Sequence, residues 1–329
     1  MKKLKLSMIF FIFLNVSLSM MYADFRISMG KDVPHDVEVM YKKGMKFLVS
    51  NQNKNGTFKG SNGSGAGVVG LCLTSILAHG EDANFGPYKD NVKRAVDYII
   101  KSQNQTTGYY GGSMYHHGFA TLGMAEAYGS LNDERIGKSL KKAVDLLITS
   151  QANNPKGGWR YRPEDNTADT TVSGACLVAL LAARNSGIGI PQKTIDGALK
   201  FYRNCQTSEG GFGYTSSHGP NQVRTSIGAL VYALANKNNQ VLKQAYTYLK
   251  SGTGSENSHF YYYSYYNSQA LFRINPSQWR KWNKLQIEIL KGKQREDGSW
   301  SGQNGAAFST ATALLSLALN YRYLPIYER

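Results

Sequence analysis

Residues 151–185, QANNPKGGWRYRPEDNTADTTVSGACLVALLAARN, decide the fold. A glutamine opens the stretch, a Gly-Gly-Trp turn follows, and a polar loop carries three acids, Glu164, Asp165 and Asp169. The stretch ends in a long apolar segment rich in small residues. Thr171–Ala182 is apolar nearly all round, and a helix of that kind is enclosed by protein. Chemistry is therefore expected where the polar loop enters this helix, at Asp169 and its equivalents elsewhere.

The same layout recurs along the chain. Six helices align on a small residue followed by leucine: Cys72-Leu73, Thr121-Leu122, Cys176-Leu177, Ala229-Leu230, Ala270-Leu271 and Ala313-Leu314. The intervals of 49, 55, 53, 41 and 43 residues fit one helical hairpin per unit. Between them lie six amphipathic segments, at 37–52, 88–103, 134–151, 191–206, 239–250 and 277–294. Their apolar residues recur at three and four, as in Val92, Ala95, Val96 and Ile99, with lysines opposite; such a helix lies outside a core. Pro191 suits the first helical position. The spacing thus predicts an all-α protein with an inner ring of six helices and an outer ring of six. The chain starts on an outer helix and finishes on an inner one near Ala307–Asn320, so the two ends can pair and close the ring. A closed ring has no exposed end to cap.

Five of the six outer segments end in one kind of turn. These read Gln52-Asn-Lys-Asn-Gly56-Thr-Phe58, Gln103 to Gly108-Tyr109, Gln151 to Gly158-Trp159, Gln206 to Gly211-Phe212 and Gln294 to Gly298-Ser-Trp300. The fifth unit reads Lys250-Ser-Gly252-Thr-Gly254 instead. Glycine supplies the positive φ that ends a helix; the glutamine can satisfy orphan backbone groups, and the aromatic plugs the space between hairpins. This Gln-x(3–6)-Gly-x-Trp/Phe turn resembles the repeat of the squalene/oxidosqualene cyclase and protein prenyltransferase superfamily, which implies an α/α toroid across roughly residues 36–322. The chain is also similar to short, exported bacterial toroids of cyclase- or prenyltransferase-like type, through Tyr115-His-His-Gly118-Phe-Ala-Thr121, Asp169-Thr-Thr-Val-Ser-Gly174 and Asn320-Tyr-Arg-Tyr-Leu-Pro325.

The chemistry that the resemblance implies does not follow the fold. Squalene-type cyclases begin with an Asp-x-Asp-Asp-Thr motif whose middle aspartate donates a proton. The matching place reads Asn166-Thr167-Ala168-Asp169-Thr170, which puts Ala168 at the donor position; a register begun at Asp165 loses the donor as well. Asp169 stands at a helix start, where the dipole and free N–H groups favour negative charge, the opposite of what a proton donor needs. Its plainer role is to cap the helix. The zinc set of protein prenyltransferases and the Gly-Cys-Gly-Glu-Gln thioester motif are both missing. Histidines at 35, 79, 116, 117, 218 and 259 show no ligand spacing, so neither metal nor cofactor is expected. Cys72 and Cys176 hold equivalent repeat positions and, with Cys205, match no redox or zinc pattern.

What remains is the mouth of the ring. His116, His117, Asp169, Thr170, Arg224, Thr225, Tyr262, Tyr263, Tyr266 and Ser309 are expected to face one cavity. His117 would otherwise be a hydrogen-bonded packing residue, and the tyrosines packing and rim. A charged residue opening an apolar helix needs a partner, and Asp169 is the one expected for Arg224. The candidates for catalysis are Asp169, His117 and Arg224. The function that fits is a toroid binding a hydrophobic or glycan ligand without cyclase proton-donor chemistry. The alternatives are an enzyme on an isoprenoid, or a polysaccharide lyase or hydrolase. Hydrolysis needs two carboxylates across a cleft, whereas the acids here cluster in one loop.

Residues 1–23 read as a secretory signal: Lys2, Lys3 and Lys5, an apolar run from Leu6 to Leu18, and Ala23 at a cleavage point. Residues 24–35 form an N-terminal extension and 36–329 a single toroid domain. An uncleaved anchor is the alternative to a periplasmic or secreted product. The 329 residues carry a net charge of +16, or +13 without the three leader lysines. Such a surface can meet an anionic envelope. Its lysines are scattered rather than run together, which argues against nucleic acid. The expected partner is a hydrophobic small molecule or an acidic glycan, bound by a monomer.

Overall fold

The computed structural model describes residues 33–326 apart from 61, 64, 238, 239, 252–258 and 325; the expected leader and nearly all of the 24–35 extension lie outside the described residues. Among the described residues, twelve α-helices alternate between two layers. The outer helices are α1 (His35–Asn51), α3 (Lys89–Ser102), α5 (Glu134–Asn153), α7 (Gln192–Asn204), α9 (Gln240–Ser251) and α11 (Pro276–Lys293). The inner ones are α2 (Ala66–Leu77), α4 (Met114–Tyr128), α6 (Thr170–Asn185), α8 (Gln222–Leu234), α10 (Phe260–Ile274) and α12 (Ala306–Leu317), the last continued by a 3₁₀ turn, Ala318–Asn320. Each inner helix packs on the next, and α12 returns to α2 and α1 while α11 reaches α1, so both rings close.

The layers follow from the patterns that mark them. In α3 the buried residues are Val92, Ala95, Val96 and Ile99, one stripe facing inward. In α2 all twelve residues are buried. Small residues set how closely the inner helices approach. A Cβ on Gly70 would lie 2.4 Å from the Phe119 carbonyl oxygen of α4, and one on Gly123 would lie 2.7 Å from that of Gly70. Pro191 precedes α7 as its cap rather than occupying the first helical position. Cys72, Cys176 and Cys205 are buried free thiols.

The repeated turn works as a hook. Each glutamine carboxamide donates to the carbonyl of its own turn glycine and to a carbonyl in the next outer helix. Gln103 Nε2 reaches Gly108 O and Ser139 O, both at 2.9 Å. Gln206 Nε2 reaches Gly210 O at 3.1 Å and Val241 O at 2.9 Å. Gln52 and Gln151 join Asn91 and Thr194 in the same way. Gln294 donates to Met40 O at 2.9 Å, tying the last outer helix to the first. The turn glycine is required twice over. Gly210 has φ +94°, and a Cβ there would stand 2.2 Å from the Gln244 carbonyl oxygen.

The aromatic after each glycine fills the wedge behind the hook. Phe58, Tyr110, Trp159, Phe212 and Trp300 are all buried. In the second unit the plug is Tyr110, one residue beyond the expected Tyr109. Trp159 Nε1 donates to Leu147 O and Trp300 Nε1 to Leu290 O, both at 2.9 Å. The plug's own N–H is received by an inner-helix side chain: Ser173 Oγ for Trp159, Thr225 Oγ1 for Phe212, Thr310 Oγ1 for Trp300 and His117 Nδ1 for Tyr110.

Candidate functional site: a cavity at the inner-helix N-termini

All six inner helices start at the same end of the ring, and between their first turns lies a cavity of about 700 Å³. Side chains reach it from the second and third positions after a helix cap. After Ser113 these are Tyr115 and His116; after Asp169, Thr171; after Asn221, Val223 and Arg224. The third position supplies Tyr262 after His259 and Phe308 after Gly305. Phe119 lies one turn deeper, and Tyr161 and Tyr214 overhang from the turns. The caps Ser113 and Asn221 also line the cavity, as do Asn62 and Asn304 from the loops, so amides and hydroxyls interrupt the aromatic wall.

Asp169 lies behind this wall, with no accessible surface. Its Oδ1 accepts the Thr171 and Val172 N–H groups at 2.9 and 2.8 Å and the Thr171 hydroxyl at 2.6 Å. Its Oδ2 accepts from Arg160 Nη1 at 3.2 Å. The cap and the ion pair engage both oxygens. Arg160, not the expected Arg224, is its partner, because the loop after the Trp159 plug folds back over the start of α6. The Arg160 guanidinium packs against the rings of Tyr161 and Tyr214, at 4.9 and 5.0 Å, and those two hydroxyls share a hydrogen bond of 2.6 Å. Burial, then the Tyr161 hydrogen bond, then the nearby Asp169 charge raise the Tyr214 pKa, so its phenol stays protonated. Arg224 packs on the far side of this group. Its Cζ is 5.6 Å from the Tyr214 ring, and Nη1 donates to Gly219 O at 2.6 Å.

Of the ten residues expected at the cavity, His116, Arg224 and Tyr262 line it. His116 Nδ1 accepts the Gly67 N–H at 3.3 Å, and burial lowers its pKa, so the ring is neutral. The Tyr262 ring lies edge-on to that of Tyr266, 4.9 Å away. Ser309 lines a smaller adjoining recess of about 170 Å³, where it meets Tyr262, Phe308 and Lys293.

The other expected residues face into the protein. His117 is fully buried, its Nδ1 accepting from Tyr110 N and its Nε2 3.1 Å from Ala143 O; burial lowers its pKa to about 4 against the opposing pull of that carbonyl. A ring held neutral between two backbone groups of the wedge is a packing residue. Thr170 donates to Gly213 O at 2.8 Å and stitches two units together. Thr225 receives the Phe212 plug. Tyr263 and Tyr266 are buried and do not line the cavity.

Tyr161 and Tyr214 are the main residues that the sequence reading passed over, and a signal for them exists. Both stand two places after a plug, at Trp159 and Phe212; the equivalent places after Phe58, Tyr110 and Trp300 are Gly60, Gly112 and Gly302. Among the described residues, no group of three histidine, cysteine, aspartate or glutamate side chains could hold a metal ion.

Two closed rings of helices with hooked turns define the class as an α/α toroid. The chain belongs to the prenyltransferase alpha-alpha toroid domain family, whose model matches residues 2–233. The type II terpene cyclase MstE from Scytonema is structurally similar at 17% identity and a TM-score of 0.61, with 88% of this chain and 99% of that one covered. So is a family 76 glycoside hydrolase (mannosidase) from Bacteroides thetaiotaomicron VPI-5482, at 12% identity and TM-score 0.65, covering 88% and 99%. The third is an inactive variant of the alpha-1,6-mannanase GH76A from Salegentibacter sp. HEL1_6 in complex with alpha-1,6-mannotriose, at 11% identity and TM-score 0.64, covering 86% and 98%. No curated protein sequence matches the chain.

Proposed function

We propose that this protein binds a hydrophobic or glycan ligand in the cavity at its inner-helix N-termini and does not protonate it as a cyclase would. One observation carries the reading: among the described residues no carboxylate lines the cavity, and Asp169, at the start of α6, is sealed behind the wall. Protonation of an alkene needs an acid facing the substrate, and glycoside hydrolysis needs two carboxylates there. The lining suits a ligand with apolar faces and scattered oxygens, since aromatic rings alternate with Asn62, Ser113, Asn221 and Asn304. Similar toroids are a terpene cyclase in complex with geranylgeranyl dihydroxybenzoate and a mannanase in complex with mannotriose, so the fold suits ligands of both kinds.

The signal-like segment directs the protein out of the cytoplasm, to the periplasm or beyond, where its basic surface meets an anionic envelope as a monomer. Native mass spectrometry of the mature protein, purified from a host that exports it, tests the reading. The expected result is a bound mass that organic or aqueous extraction releases and that Tyr262→Ala reduces. A wild-type protein that carries nothing and takes up neither lipid nor glycan extract would refute it.

A further inference from the structure

Arg224 is the one guanidinium among the lining residues, and among the described residues no carboxylate pairs with it. The acid that would have neutralised it, Asp169, is paired with Arg160 instead. Arg224 is also held in place: its backbone N–H bonds to the Asn221 cap at 2.9 Å, Nη1 is fixed to Gly219 O, and its plane is braced by the Tyr214 ring. Tyr214 is itself braced by Tyr161 and Arg160. Among the described residues, one hydrogen-bonding edge of a preorganised guanidinium is thus left without a protein acceptor, and no carboxylate lines its cavity. The N-termini of six helices add positive potential at the same end.

We infer that the ligand carries a carboxylate, seated on the free edge of Arg224. This rests on the ligand-cavity reading above and narrows its ligand class. Geometry and charge together select the group. Arg160 is already neutralised, so among the described lining residues Arg224 is the one guanidinium without a carboxylate, with His259 also on the wall. A carboxylate balances Arg224, and its planar pair of oxygens matches a guanidinium edge. The carboxylate has two sources that the cavity accommodates, a uronate in a glycan or the acid group of a lipid.

Matched pairs separate the outcomes. The mature protein is titrated calorimetrically with decanoate against methyl decanoate, and with trigalacturonate against its full methyl ester. The expected result is that one acid binds about tenfold or more tightly than its ester, as a charge-assisted hydrogen bond in a partly desolvated site allows. The pair that shows the preference names the source. Arg224→Gln should keep the ester affinity and lose the preference, and Arg224→Lys should recover part of it, with thermal melts confirming that both variants fold. Equal binding of acid and ester on both bodies overturns the inference while leaving the cavity reading intact, as does a preference that survives in Arg224→Gln. If none of the four probes binds, the cavity reading falls and takes the inference with it.

Discussion

His116 and His117 are neighbours in sequence with opposite fates. Successive helical residues point about 100° apart, so a cavity face takes in two neighbouring positions at most, here Tyr115 and His116, and His117 turns away. On an outer helix the polar stripe reveals which positions face which way. On an inner helix, apolar all round, no stripe gives the phase, and the sequence alone did not separate His116 from His117, Arg224 from Thr225, or Tyr262 from Tyr263. Counting from the helix cap supplies the missing phase, because the second and third positions face the cavity. The buried His117 also carries a titration signature. Its pKa falls from 6.5 to about 4 on folding, so the stability that it contributes is complete above pH 6.5 and is lost as the pH drops toward 4. Full loss would amount to about 3 kcal/mol. Urea unfolding at pH 7 and pH 4.5 should show wild type losing about 2–3 kcal/mol more than His117→Gln, which can keep both wedge hydrogen bonds without titrating. Equal losses would mean that the ring is already protonated in the native wedge.

At the scale of elements, hooks and plugs were legible because each needs a particular residue: a carboxamide with two N–H donors, a glycine with positive φ, and a large flat side chain. The plug at Tyr110 shows the limit. Two tyrosines in a row offer equal chemistry, and only the three-dimensional wedge chooses between them. The hooks also rank the junctions. Five outer helices end in a glutamine, whereas Lys250 stands near the end of α9, its Nζ over the Tyr246 ring. The glutamine hook on α9 therefore comes from one side, through Gln206 to Val241 O. Gln206→Ala leaves the Gly210 carbonyl of the turn and the Val241 carbonyl of α9 without their donor and should cost about 1–3 kcal/mol in urea unfolding. Hydrogen exchange should quicken in α9 far more than in α3, which keeps hooks on both sides. A uniform change around the ring would show that the hook acts through global stability rather than by joining neighbours.

For the whole molecule, the repeat period and the match of first helix to last already specify the closed double ring. The cavity's openness was less legible. It depends on glycine or tyrosine two places beyond each plug: Gly60, Gly112 and Gly302 leave three units of the mouth clear, while Tyr161 and Tyr214 build an overhang on the other side. That overhang recruits Arg160 to Asp169 and so frees Arg224, a chain of consequences no pairwise reading of acids and bases contains. The most direct test of a ligand cavity without a facing acid is a crystal structure of the mature protein with its bound ligand. The expected map shows the ligand among Tyr115, Tyr262 and Phe308, a ligand oxygen on Arg224, and Asp169 still turned to Arg160 and the α6 amides. A map with Asp169 rotated into the cavity and touching the ligand would contradict the account.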